Sequence, residues 1–337
     1  MNLPWLNPVL AGLLKDRDRL AHAILITGPP AIGKSLLADR FANALLCESP
    51  GPLGHACGHC EACLWFAQGN HPDLRRLAPI DEEAAEKAAE KGGKAVKASR
   101  EIRIEQVRAL AELLAVTSHR SGRRIVLIDP ADALNAVAAN GLLKTLEEPG
   151  QATHFMLVTH RPDVLPATIR SRCVRVTVAG PPTALASQWL QSAASVDAAQ
   201  AQQWLAAAGG APLLALRFAE PAHAAAHRLI LDALGGLPDT SVLSVADTLH
   251  GLGPATWLTV LQAWVADLAR VVTRSQPDRF PARAERLRAL SARTNLERVT
   301  TLATWLGTQR AVVEHPMNPR LFCESALFRY AGIFAKG

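Results

Sequence analysis

Two groups of residues in the first part of the chain are of types that could do chemistry. The first is GPPAIGKS, Gly28 to Ser35, which matches the phosphate-loop pattern G-x-x-x-x-G-K-[ST] in full. Glycines such as Gly28 and Gly33 let backbone N–H groups converge on phosphate oxygens, Lys34 would reach the outer phosphates, and Ser35 would hold Mg²⁺. These residues predict a site for ATP or ADP with Mg²⁺, although a loop of this kind does not by itself predict hydrolysis.

The second group is a cluster of cysteines that follows the loop and its helix. Its spacing, C-x9-C-x2-C-x2-C, is typical of four thiolates around a closed, structural Zn²⁺ site. Disulfides are disfavoured in a cytosolic protein, and an iron–sulfur cluster is the alternative metal centre. The predicted ligands are Cys47, Cys57, Cys60 and Cys63. Three nearby histidines could each replace a cysteine: His55, His59 and His71.

Short apolar runs must form the elements that position these groups. The runs are separated by helical stretches, which indicates an α/β fold with a parallel sheet and helices on both of its faces. The phosphate loop connects the first run to the helix that follows it. The five predicted strands are Ala23–Thr27, Asp73–Pro79, Arg124–Asp129, His154–Thr159 and Cys173–Val178.

The third predicted strand ends in a carboxylate, which a phosphate-loop ATPase needs for Mg²⁺. Asp129 stands at that end, but the next residue is Pro130, where such an ATPase often has the glutamate that activates water. Asp132 is the nearest other carboxylate, and its place at a turn or helix start favours a capping role. The sequence thus keeps binding groups and lacks the general base, so we expect hydrolysis by this chain alone to be slow or absent.

Strand-like runs end at Val178, and helical segments follow to the end of the chain, with Gly209-Gly210 between two groups of them. A stretch rich in Ala, Glu and Lys, Asp81–Glu101, is predicted to be an exposed, variable insertion. We predict three domains with these bounds: an α/β domain at 1–178 with the cysteine module at 47–63, a small helical domain at 179–208, and an all-helical domain at 209–337.

Composition and hydropathy predict a globular protein without a membrane-spanning segment. Hydrophobic residues are 49% of the chain and charged residues 20%, which is typical of a globular protein. No apolar run reaches the roughly 18 residues that span a bilayer, and the N-terminal stretch lacks the features of a signal peptide. We therefore expect a cytoplasmic protein. The net charge of +6 indicates proximity to nucleic acid only weakly.

The chain resembles the delta-prime subunits of the bacterial DNA polymerase III clamp loader, a family of AAA+ proteins. The resemblance rests on RLAHAILITGPPAIGKS, the four cysteines, NHPD, LIDPADALNAVAANGLLKTLEEP and LPATIRSRC, from about Leu20 to Cys173. A weaker similarity, NPRLFCESAL, lies at Asn318–Leu327. The resemblance implies a RecA-like AAA+ domain, a small helical lid and a helical collar that holds related subunits in an open ring.

The resemblance also implies a function. Such a ring contains motor ATPase subunits and a delta subunit, and uses ATP to open the sliding clamp and load it on primed DNA. Delta-prime subunits are the stator-like member that does not hydrolyse ATP. Clamp-loader subunits of this type carry zinc at the cysteine cluster.

Two further residues acquire roles from the resemblance. Arg172 lies in the S-R-C motif, whose arginine acts in trans, as an arginine finger, on ATP held by the neighbouring motor subunit. A guanidinium at the γ-phosphate stabilises charge in the transition state. From the residues alone, Arg172 pairs with a surface carboxylate instead. Thr159 stands at the family's first sensor position, and a plain strand-end threonine is the alternative.

Motor relatives open a later helix with G-x-x-R, whose arginine is the second sensor. The matching stretch here, Gly209-Gly210-Ala211-Pro212, has no arginine, which agrees with the missing base. The complete phosphate loop favours the opposite conclusion, because many delta-prime subunits have a degenerate one.

Three functions remain open from the sequence. The first is the stator subunit of a clamp loader. The second is an active motor ATPase of the same clamp loader, which the intact loop favours. The third is a nucleotide kinase with a zinc-bearing lid, although such a lid is expected well downstream of the phosphate loop.

Overall fold

The computed structural model describes residues 1–80, 99–114, 122–150, 152–313 and 318–335. The chain divides into two compact units, an N-terminal unit, Met1–Gly180, and a C-terminal unit, Pro181–Gly337. Most of the insertion predicted at Asp81–Glu101 lies outside the described residues. The further division of the helical part at 208 stays a prediction.

The N-terminal unit is built on a five-stranded sheet with the strand order β2–β3–β4–β1–β5. Every neighbouring pair of strands is parallel. The strands are β1 Ala23–Thr27, β2 Leu74–Leu77, β3 Arg124–Ile128, β4 Thr153–Thr159 and β5 Val174–Thr177. The predicted parallel α/β sheet is therefore confirmed, with strand bounds close to those expected from the apolar runs.

The inner strands are buried on both faces, as a parallel sheet between helices requires. All residues of β1 and β3 are buried, whereas β5 is an edge strand and mostly exposed. β4 lies between β1 and β3, and Thr27 at the end of β1 is opposite Thr159 at the end of β4. The carboxyl ends of β1, β4 and β3 thus lie side by side at one edge of the sheet.

The described part of this unit contains six α-helices. They are α1 Asn7–Lys15, α2 Lys34–Leu46, α3 Glu61–Ala67, α4 Ile104–Leu114, α5 Ala136–Glu147 and α6 Ala167–Arg170. Asn135 caps the start of helix α5, and its side chain accepts a hydrogen bond from the N–H of Ala138 at 2.8 Å. A Cβ on Gly141 would lie 2.4 Å from Ile104 Cδ1, so this glycine lets α4 and α5 pack closely.

Nine helices form the described part of the C-terminal unit. They are α7 Thr183–Ala194, α8 Ala198–Ala207, α9 Pro212–Ala219, α10 Pro221–Gly236, α11 Val242–Leu249, α12 Pro254–Val272, α13 Ala284–Ser291, α14 Leu296–Val313 and α15 Pro319–Gly332. The first three pack on one another. Among the described residues, no helix has the length and apolar character needed to cross a membrane.

Two buried hydrogen-bond networks lie in the core of this unit. Trp264 donates to the hydroxyl of Tyr330 at 2.7 Å, and that hydroxyl donates to the carbonyl of Leu234 at 3.2 Å, so two large buried rings keep their polar atoms paired. The buried carboxylate of Asp267 accepts backbone N–H groups from the turn 278–280. This network fixes the turn against α12, because a buried carboxylate without donors would be costly.

Candidate functional site

The phosphate loop leaves β1 and ends at the first residue of α2. Gly28 has φ of 149° and Gly33 has φ of 95°, a region of backbone conformation that favours glycine. A Cβ on Gly28 would lie 2.2 Å from the carbonyl oxygen of Val178, and one on Gly33 would lie 2.3 Å from Leu3 Cδ1. Both glycines that the pattern requires are therefore needed by the folded loop itself.

The N-terminal residues hold this loop in place. Trp5 donates its indole N–H to the carbonyl of Ile32 at 2.8 Å, and that bond is buried. Leu3 and Leu6 are fully buried, and both approach Gly33. The hydrogen bond from Trp5 and the apolar contacts of Leu3 and Leu6 thus restrain the phosphate loop through residues that are not part of it. Sequence analysis missed this support, because no motif connects residues that lie so far apart along the chain.

The side chains predicted to bind Mg²⁺ and phosphate converge at the loop. Lys34 is 7% exposed, and its Nζ donates to the carbonyl of Pro29 at 2.6 Å. Burial lowers the pKa of Lys34, and the charges of Asp129 and Asp132 oppose that shift. Asp129 follows β3 and forms a hydrogen bond with Ser35, while burial raises the pKa of its carboxyl. A hydroxyl and a carboxylate are ligands that Mg²⁺ accepts, so the residues present fit a magnesium nucleotide.

Thr159 and Asp132 meet beside these residues. The Thr159 hydroxyl donates to Asp132 Oδ1 at 2.5 Å, and the Asp132 side chain is 8% exposed. The predicted capping role of Asp132 is wrong: the short turn that contains it has no side-chain cap, and Asn135 caps the helix that follows. Asp132 instead points to the end of β4, which the sequence could not show.

Arg172 lies on the surface between α6 and β5. One of its terminal nitrogens donates to the carboxylate of Glu147, and the other donates to the carbonyl of Thr168 at 2.9 Å. The Arg172 side chain is 35% exposed. The surface ion pair that was the alternative interpretation therefore exists in this chain. The guanidinium still reaches solvent, so its role towards a neighbouring subunit stays a prediction.

The four predicted cysteine ligands form one cluster, and they are all free thiols. Their sulfur atoms all lie within 4.8 Å of one another, with Cys47 and Cys60 at 3.8 Å and Cys57 and Cys63 at 3.9 Å. Zn–S bonds of about 2.3 Å in a tetrahedron place sulfurs about 3.8 Å apart, so the spacing fits a four-sulfur metal site. The cluster could therefore bind a metal ion.

Backbone N–H groups point at these sulfurs. Cys57 N–H donates to Cys47 Sγ and Cys60 N–H to Cys57 Sγ, both at 3.3 Å, and Cys63 N–H donates to Cys60 Sγ at 3.4 Å. Burial raises the pKa of Cys60, but hydrogen bonds from backbone N–H groups and neighbouring cysteines outweigh it and bring the pKa to about 6, whereas burial raises the pKa of Cys47 and of Cys63. Such donors favour the thiolate form that binds metals.

The nearby histidines do not join the cluster. Among the described residues, the group that could hold a metal ion contains cysteines only. His59 Nδ1 lies 2.9 Å from the carbonyl oxygen of Cys57, and His71 Nδ1 accepts the N–H of Asp73 at 3.1 Å. The four cysteines predicted from the sequence therefore form the candidate ligand set without a histidine in place of any of them.

Comparison with known families and proteins assigns the N-terminal part of the chain. A family model described as "DNA polymerase III, delta subunit" matches residues 9–181. The DNA polymerase III subunit delta' of Pseudomonas aeruginosa is 42% identical over 215 residues, which are 64% of this chain and 60% of that protein. The subunit delta' of Escherichia coli is 33% identical over 265 residues, which are 77% of this chain and 74% of that protein.

The match thus spans less than two thirds of the Pseudomonas relative and about three quarters of the Escherichia relative. Among solved structures, a DNA polymerase III gamma subunit-related protein from Thermotoga maritima is 16% identical, with a TM-score of 0.48. That alignment covers 97% of this chain and 99% of the other.

Proposed function

The chain belongs to the DNA polymerase III delta-prime family, and from that premise we propose that it is a stator-like, non-hydrolysing subunit of a bacterial clamp loader. In this role it joins motor ATPase subunits and a delta subunit in a ring in the cytoplasm. The ring loads the sliding clamp on primed DNA during replication. The observation that carries the proposal is the family match over residues 9–181, because that range contains the phosphate loop, the cysteine cluster and the S-R-C motif.

The nucleotide site supports a subunit that binds without hydrolysing. Pro130 follows Asp129, so no glutamate stands where a motor ATPase activates water. Helix α9 opens with Pro212 and has no arginine in its first turn, which agrees with the loss of a second sensor. Ser35 and Asp129 would hold Mg²⁺, and Lys34 would leave the carbonyl of Pro29 to meet phosphate. A bound nucleotide supplies charge and order to the loop in this role.

The cysteine cluster supports a structural zinc ion. Four thiolates complete a tetrahedral shell and leave no open position for a substrate, so the metal stabilises the module between α2 and β2. The module is small and cannot build a large apolar core of its own. Metal binding therefore contributes to its folding free energy.

Arg172 supports a role at a subunit boundary. Its guanidinium is partly exposed and is held by one carboxylate and one carbonyl. We assign it as the arginine finger that acts in trans on ATP of a neighbouring motor subunit. The lid and collar assigned to the helical part serve to bring that neighbour into place.

The test is reconstitution of the clamp loader with Arg172→Ala, compared with Arg172→Lys and the unchanged chain. We expect the ring to assemble and its DNA-stimulated ATP hydrolysis to fall by about 10³-fold, the lower end of what arginine fingers supply. Unchanged hydrolysis by an assembled ring that contains Arg172→Ala would remove the proposed role of this arginine.

One observation favours a second candidate, a motor ATPase subunit of the same complex. The phosphate loop is intact, Ser35 forms a hydrogen bond with Asp129, and the charge of Asp129 acts on Lys34. Turnover by the isolated chain separates the two candidates.

A further inference from the structure

The hydrogen of the Thr159 hydroxyl is used in a hydrogen bond inside this chain. The hydroxyl donates to Asp132 Oδ1 at 2.5 Å and accepts the backbone N–H of Arg161 at 2.9 Å. A threonine hydroxyl has one hydrogen to donate. While Asp132 holds that hydrogen, Thr159 has none to offer to another oxygen.

These two residues lie where the end of a bound nucleotide would come. β4 is next to β1, and Thr159 is opposite Thr27, the residue before the phosphate loop. Ligands of parallel α/β sheets bind outside the carboxyl ends of the strands. The amine of Lys34 would meet the outer phosphates. The negative charges of Asp129 and Asp132 both raise the pKa of this amine against the effect of burial, so both carboxylates lie near it.

The predicted Mg²⁺ site does not require the carboxylate of Asp132 as a ligand. Asp129 already forms the hydrogen bond with Ser35, the residue that would share Mg²⁺ with it. The Asp132 side chain is 8% exposed, and the ring nitrogen Nδ1 of His160 lies 3.9 Å from its Oδ1. A second, nearly buried negative charge beside Lys34 repels a third phosphate group more strongly than it repels the first two.

We propose that Asp132 and Thr159 make this phosphate-loop site selective for a nucleoside diphosphate over a nucleoside triphosphate. Asp132 supplies the charge that disfavours the γ-phosphate and occupies the hydroxyl that could otherwise donate to it. The inference rests on the proposed assignment of the loop as a nucleotide site. It adds a ligand class to a subunit that does not hydrolyse ATP, with Mg²⁺·ADP as a resident, static ligand.

The test is calorimetric titration of the purified full chain, freed of co-purified nucleotide, with Mg²⁺·ADP and with Mg²⁺·AMPPNP, a triphosphate analogue that is not hydrolysed. We expect ADP to bind at least about tenfold more tightly. Asp132→Asn removes the charge and keeps an acceptor for Thr159, so the ratio should fall towards one through tighter AMPPNP binding. Asp132→Ala also releases the hydroxyl, so AMPPNP should gain more.

Three further variants serve as controls. Asp163→Asn removes a carboxylate that is 95% exposed beyond the same strand and should leave the ratio unchanged. Lys34→Ala should abolish binding of both nucleotides. Thr159→Val keeps the charge of Asp132 and should keep the preference for ADP, which gives a second readout if the variants of Asp132 fold poorly.

Equal affinities for ADP and AMPPNP in the unchanged chain would overturn the inference. So would a preference for ADP that persists in both Asp132 variants, or one that is lost in Thr159→Val. Absence of binding of either nucleotide would also overturn it. That last result would leave the stator role standing, because the reconstitution with Arg172→Ala tests that role without nucleotide in this subunit.

Discussion

Arg172 and Glu147 form an ion pair that joins the loop before β5 to the last residue of α5. The Glu147 side chain is 48% exposed and that of Arg172 is 35% exposed. Exposed ion pairs of this kind contribute only about 0–1 kcal/mol to stability. The pair therefore holds the guanidinium in one direction and can be given up at little cost when a phosphate of higher charge approaches.

A prediction follows for Glu147→Gln. We expect the free energy of unfolding of the isolated chain to change by less than about 1 kcal/mol, as measured by urea denaturation. ATP hydrolysis by the reconstituted ring should stay within about threefold of the unchanged complex, because Thr168 still orients the guanidinium. A loss as large as that of Arg172→Ala would make Glu147 a required positioning residue.

The cysteine cluster predicts the metal content. The unchanged chain should carry one zinc ion, and Cys60→Ser should carry none and should unfold at a lower denaturant concentration, because one of four ligands is lost. The matched control is Cys173→Ser, a cysteine outside the cluster, which should keep its zinc. Elemental analysis by mass spectrometry measures the zinc and iron content of each variant. Iron in place of zinc would support the iron–sulfur alternative.

The nucleotide site predicts the outcome of a turnover assay. Steady-state ATP hydrolysis by the isolated chain with primed DNA should not exceed that of Lys34→Ala, because Pro130 stands at the position of the water-activating residue. The isolated Arg172→Ala variant should hydrolyse ATP no faster than these two chains, because the ATP on which Arg172 is proposed to act is bound to another subunit. Turnover that depends on Lys34 would instead favour the motor ATPase, with Asp132 as the group that positions water.

The backbone of the phosphate loop predicts the effect of adding one methyl group. Gly28→Ala should lower the free energy of unfolding by about 1–3 kcal/mol, because the new Cβ meets the carbonyl of Val178. Gly12→Ala is the matched control: it lies within α1 with nothing within 4 Å of its Cβ, so the same change should stabilise by up to about 1 kcal/mol. Thermal denaturation of both variants measures the difference, and equal effects would contradict the steric argument.

A buried histidine in the C-terminal unit predicts a dependence of stability on pH. His227 is 6% exposed among Trp204, Phe218 and Phe280, and burial, with the charge of Arg283, lowers its pKa from 6.5 to about 4. The folded chain keeps the ring neutral while the unfolded chain protonates it. The stabilisation is therefore complete above about pH 6.5 and falls by up to about 3 kcal/mol as the pH drops towards 4.

Denaturant unfolding of His227→Gln across that range should show a shallower slope of stability against pH. His223→Gln provides the comparison, because His223 is 52% exposed and should leave the slope in place. Identical slopes in both variants would assign the acid sensitivity to other groups.

Much of the fold could be predicted from the sequence, because the three inner strands, β1, β3 and β4, are largely apolar runs, whereas the outer strands β2 and β5 are interrupted by arginines and give a weaker signal. The phosphate loop and the cysteine cluster could also be predicted, because the residues of each lie close together along the chain. The strand order could not be predicted in this way, since it depends on which helix covers which face of the sheet. The division of the helical part into two domains likewise stays a prediction.

The sequence by itself determined the chemistry that is available: a phosphate loop with Lys34, a carboxylate at Asp129, a proline in place of the base, and four thiolates. Only the tertiary structure decided which of the remaining polar groups meet. Thr159 and Asp132 are 27 positions apart, and Arg172 and Glu147 are 25 positions apart. The sheet places β4 next to β3, which brings Thr159 to Asp132, and it places β1 between β4 and β5, the strands that follow Glu147 and Arg172. No local pattern of residues encodes either proximity.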